Sequence, residues 1–89
     1  MKAAEKRERL KEENSNALLF NDLDDALIGI SNGLGRQALG VYDYDLMVEV
    51  FIAQGYKHEE AVEHVDFNIV GAWLGPMTPI VVFRFEEAE

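Results

Sequence analysis

The chain has 89 residues, with 17 acids against 8 bases and a formal net charge of -9. That length bounds it to one domain, and a hydrophobic share of 48% is too high for a disordered chain. The lack of cysteine excludes disulfides, thiolate metal sites and a cysteine nucleophile; no apolar run approaches a membrane span, and so acidic a chain suits nucleic-acid phosphates poorly.

Residues 1–14 hold five bases and four acids, while the remainder holds three bases and thirteen acids, a net of -10. Residues 2–13 are good helix formers with opposite charges three or four apart, such as Glu5 with Arg9. Leu10 is their only large apolar residue after Met1, so the expectation is a charged helical arm over 1–16 with no apolar face to dock, either solvated or ordered against a partner or a sister subunit. Asn14-Ser15-Asn16 reads as a linker or helix stop. The charged start does not read as a signal peptide.

The domain proper is expected over 17–89. Residues 17–25 form a short helix or an extended lead-in. Residues 26–31 form a strand with Ala26, Ile28 and Ile30 on one face, residues 31–36 a glycine-rich turn, and residues 37–42 the return strand. A regular turn would set Gly29 opposite Gly40, leaving a gap for a helix or a ring. Asp43 is a candidate N-cap for a helix over 45–54, closed by Gly55. A second helix starts near His58 and carries two apolar stripes. The first is Ala61, Val62, Val65, Ile69, Ala72 and Trp73; the second is Phe67, Val70 and Leu74. Such a helix is sandwiched, or meets another chain on its second side. Gly75-Pro76 ends it, and residues 80–85 make the strongest strand. The expected fold is α+β: a small three-stranded antiparallel sheet, β-β-α-α-β, with two helices on one face and the arm outside. The residues do not choose the edge that the third strand joins. So small a core makes a homodimer a reasonable way to add buried area.

Chemistry has few footholds. Asp22, Asp24 and Asp25 lack the spacing of a calcium loop. Two histidines, with Glu60 four residues before His64, make a weak zinc case. Ser15 and Ser31 sit in no nucleophile motif, and the glycines at 33, 35 and 40 do not form a phosphate-binding loop. The expectation is no enzyme, no cofactor and no metal. Two features carry more. Trp73, Phe67 and Tyr44 are either core aromatics or interface anchors. The acidity either maintains solubility or imitates a phosphate backbone toward a basic protein.

Residues 41–82 resemble a family of short, mostly uncharacterised proteins found in bacteriophage genomes. The resemblance rests on Val41-Tyr42-Asp43-Tyr44-Asp45, the helix ending at Gly55, Glu59-Glu60-Ala61, Phe67-Asn68-Ile69-Val70-Gly71-Ala72-Trp73-Leu74-Gly75, and Thr78-Pro79-Ile80. His58 stands where relatives tend to have a serine cap, and the arm is extra. The resemblance implies a viral accessory protein in the cytoplasm of an infected bacterium, and no catalytic residue. Asn68 and Gly71 both cost helix propensity. They serve either packing or a small polar notch beside Trp73. The expected interaction residues are therefore Tyr42, Asp43, Tyr44, Asp45, Asn68, Gly71 and Trp73. The expected function is binding, and inhibiting, a host defence or nucleic-acid-handling protein with a basic surface, without direct contact to nucleic acid or membrane. The alternatives are a homo-oligomeric assembly accessory, or a small-ligand binder using the notch.

Overall fold

The structure, a computed structural model, describes residues 1–33 and 35–86. Leu34 of the expected turn and residues 87–89 lie outside the described residues. The elements are α1 (Ala3–Glu13), a 3-10 turn (Asp24–Ala26), β1 (Leu27–Ser31), β2 (Leu39–Asp43), α2 (Tyr44–Ala53), α3 (His58–Val65), one π-helical turn (Asp66–Val70) and β3 (Ile80–Val82). The class is α+β.

The helix boundaries follow local chemistry. Asp43 caps α2, its Oδ1 accepting the Leu46 N–H at 3.0 Å. Gly55, at φ +108°, takes the left-handed turn after that helix. At the start of α3, Glu60 Oε1 accepts the Lys57 N–H at 3.0 Å. The second helix ends earlier than its apolar period suggests. At Asp66 it widens into the π turn, closed by a Gly71 N–H to Asp66 carbonyl bond of 3.2 Å.

The sheet has order β1-β2-β3. β1 and β2 pair antiparallel, as expected of a hairpin, but β3 runs parallel to β2. A parallel neighbour requires the chain to travel back along the sheet before pairing. Residues 71–79 supply that return leg. Asn14 shows where it arrives, since its Nδ2 reaches both the Ala38 carbonyl (2.9 Å) and Met77 Sδ (3.3 Å), beside the start of β2. Gly75-Pro76 therefore lies within a long return. β3 also stops at Val82, three residues short of the expected strand, because β2 turns into α2 and offers no further ladder.

A bulge at Ile28 offsets the hairpin. Gly29 faces Val41, and Gly40 faces Ile30. The bulge also breaks the expected alternation: Leu27 is buried, whereas Ile28 is half exposed. The gap over Gly40 is nonetheless real. A Cβ there would stand 3.2 Å from Leu10 Cδ2 and 3.4 Å from Leu27 Cδ1. The helix that fills it is α1. Leu10 is fully buried, and Lys6 and Arg7 both reach Asp24, through its carbonyl (3.1 Å) and its carboxylate (3.6 Å) respectively. The arm is docked rather than solvated. Its inward stripe is Ala3, Lys6, Leu10 and Asn14, a helical spacing that contains only one large apolar side chain.

The main core gathers Leu23, Leu27, Tyr42, Met47, Val48, Ala61, Val65 and Ile69, so both helices of the α2–α3 pair contribute one buried face to it. The first apolar stripe of the second helix is thus split: Ala61, Val65 and Ile69 are inside, and Trp73 is outside. The second stripe is not sandwiched within this chain. Phe67, Val70 and Leu74 are exposed.

Candidate functional site

The expected interaction residues separate by burial. Tyr42 is 0% exposed. Its hydroxyl accepts the Phe20 N–H at 3.0 Å, and the two rings pack at 4.8 Å. Burial pushes its phenol above the usual pKa of 10. Asp43 is 2% exposed and divides its carboxylate between the α2 cap and Arg84, whose Nε it pairs with just beyond β3. Both were expected at an interface, and both are structural: their polar atoms are consumed inside the fold and no face is left for a partner. The other five lie at the surface.

Tyr44 and Asp45 begin α2. Asp45 is exposed and sits in the first turn, where the helix N-terminus favours a negative charge. The Tyr44 hydroxyl donates to Asp66 Oδ1 at 2.7 Å, and its ring packs on Phe83 at 4.6 Å. The hydrogen bond to that carboxylate holds the proton on Tyr44 and raises its pKa to about 12. The bond ties α2 to the π turn, and the ring ties α2 to the segment after β3.

Asn68 turns back on its own helix, its Nδ2 donating to the His64 carbonyl at 3.1 Å. Bonding back to the carbonyl four residues earlier is a local habit of asparagine within helices. One of its two amide protons is engaged in this way, and the groove beside Trp73 is lined by neither Asn68 nor Gly71. A Cβ on Gly71 would meet the Asp66 carbonyl oxygen at 3.5 Å, an ordinary contact, so packing does not demand glycine there. His64, the better of the two candidate metal ligands, lies against Phe51 (4.5 Å) and Tyr56 (5.4 Å). Among the described residues no three His, Asp or Glu side chains are placed to hold a metal ion. No described helix is long and apolar enough to cross a membrane.

What the surface does present is apolar. Within eight residues Phe67 (81% exposed), Val70, Trp73 (75%) and Leu74 all face solvent. Thr78 holds the following loop in shape: its hydroxyl accepts the Leu74 N–H (2.8 Å) and donates to the Gly75 carbonyl (2.7 Å). Beside this loop runs an open groove of about 650 Å³, lined by Leu39 and Ile80 of neighbouring strands, by Val70, Trp73 and Met77, and by Arg36 at its polar side. Leu39, Ile80, Met77 and Arg36 carry no sequence signal for this role, because the return of residues 71–79 along the sheet is what brings them together. Leu74 and Val70 had one, the second helical stripe.

No family model, curated protein or solved structure matches the chain.

Proposed function

We propose that this is a small acidic protein-binding protein whose contact surface is Phe67, Val70, Trp73 and Leu74 with the adjoining groove. The observation that carries it is the exposure of four large apolar side chains at and just after the end of the second helix. Exposed apolar groups concentrated in this way mark interaction sites, and tryptophan and its aromatic neighbours are the usual anchors. A net charge of -9 favours a partner with a basic surface, through faster encounter and exclusion of acidic competitors. In its narrower form the partner is a defence or nucleic-acid-handling protein of a bacterial host. The protein then acts as an inhibitor of phage type in the host cytoplasm. That form is supported by the likeness of residues 41–82 to bacteriophage accessory proteins.

The test is affinity capture from a bacterial lysate with the wild-type chain, Trp73→Ala and Phe67→Asp, each checked for folding by circular dichroism. The reading expects a basic host protein retained by the wild type, lost by both folded variants, and released as salt rises. Capture of the same proteins by the folded Trp73→Ala variant would falsify it.

A further inference from the structure

The apolar surface proposed above continues back along α3, and there its chemistry changes. Ala61, Val65 and Ile69 recur every four residues and are buried. With about 3.6 residues per turn, the row opposite them is Glu59, Glu63 and Phe67, and all three are exposed. The outer ridge of the helix thus carries two acids a turn apart, followed a turn later by an aromatic ring that is 81% exposed.

Nothing in the helix itself accounts for the acid pair. Like charges four residues apart weaken a helix slightly, and no base lies three or four residues from Glu59 or Glu63. Among the described residues neither carboxylate enters an ion pair. α1 supplies the contrast. Its exposed acids Glu8 and Glu12 have the same spacing, but Lys11 lies three residues after the first and Arg9 three before the second. The next residue on that row is Asn16, which offers no apolar anchor. Only the α3 ridge joins unneutralised acids to an exposed ring.

We propose that the partner presents a basic amphipathic helix, which lies along the outer ridge of α3. Its apolar side chain packs on Phe67, and its Lys or Arg side chains, one and two turns away, meet Glu63 and Glu59. The segment is helical because the flank of α3 offers no sheet edge, so a segment lying there must satisfy its own backbone. The apolar end supplies the anchor, and the charged end fixes the direction in which the helix lies. This inference rests on the apolar surface assigned above and adds the form and polarity of what binds there.

The probe is a synthetic amphipathic peptide of leucine and lysine at helical spacing, without tryptophan. Affinity is read by calorimetry. Location is read by the emission of Trp73, the single tryptophan, which shifts to shorter wavelength when the ring leaves water. The wild type is expected to bind with a shift, more weakly as salt rises. Phe67→Asp is expected to lose binding, and Glu59→Lys with Glu63→Lys to weaken it about tenfold or more. Glu8→Lys with Glu12→Lys makes the same change in net charge and is expected to have little effect. All variants are checked by circular dichroism. A peptide with a central proline, which breaks its helix, is expected to bind about tenfold weaker or worse. Equal losses in the two double variants would mean that only overall charge counts; that overturns the inference and leaves the apolar surface standing. Equal binding of the proline peptide overturns it as well, as does a wild type that does not bind. Binding that leaves Trp73 emission unmoved counts against the apolar surface itself, and so against both readings.

Discussion

Asp43 shows how one carboxylate can join three elements. It ends β2, caps α2 and anchors Arg84 after β3. An N-cap is worth about 1 kcal/mol, and removing one partner of a buried pair leaves the other uncompensated, at about 3 kcal/mol when both are buried. Arg84 is largely exposed, so water recovers part of that cost. Asp43→Ala is therefore expected to lose about 2–3 kcal/mol in urea unfolding. Asp43→Asn keeps a capping oxygen and is expected to lose less; equal losses would mean that the cap contributes nothing and the pair with Arg84 accounts for the whole effect. Tyr44 makes a prediction in pH. Its folded pKa, about 12, lies above the ordinary 10. The stability it contributes is thus fully present below pH 10 and is lost as pH rises through about 12. Asp66→Asn removes the carboxylate that causes the shift, so the high-pH limb of the phenolate absorbance should move to lower pH. An unmoved limb would show that the hydrogen bond does not form in solution.

At the scale of elements, the arm is the informative case. Counting apolar residues makes α1 a solvated helix, and an 11-residue helix of that kind is marginal in water. It is retained because a single leucine meets a single glycine: Leu10 occupies the space left over Gly40. Leu10→Ala is expected to cost about 2–4 kcal/mol and to raise hydrogen exchange throughout α1. An unchanged melting temperature would return the arm to solvent. The pairs to Asp24 add little by comparison, since Arg7 is exposed. The second helix carries the opposite lesson. Its period continues to Trp73, yet the π turn and Gly71 end it at Val70. That early end turns a second apolar stripe outward and sends residues 71–79 back along the sheet.

For the whole molecule, charge sets the balance. Thirteen acids and three bases beyond residue 14 repel one another in the compact state, and the nearly neutral arm offsets little of this. Moderate salt at neutral pH is expected to raise the melting temperature of the isolated protein while weakening capture of a basic partner. A melting temperature that falls with salt would mean that attraction between the arm and the acidic domain outweighs the self-repulsion.

The residues alone determined what depends on neighbours in the chain: the α+β class, the β-hairpin, the Asp43 cap, the Gly55 turn, and the buried row Ala61, Val65 and Ile69. Helix caps and hydrophobic period act over one or two turns, so they are written locally. Tertiary structure alone decided the rest. It set the parallel pairing of β3, placed the arm over Gly40, moved Tyr42 and Asp43 from the candidate interface into the fold, and assembled the groove from Leu39, Ile80 and Trp73. Each of these depends on the path of residues 71–79 or on a gap of one side chain between distant segments. No local period encodes a contact of that kind, because its energy exists only once both partners are in place.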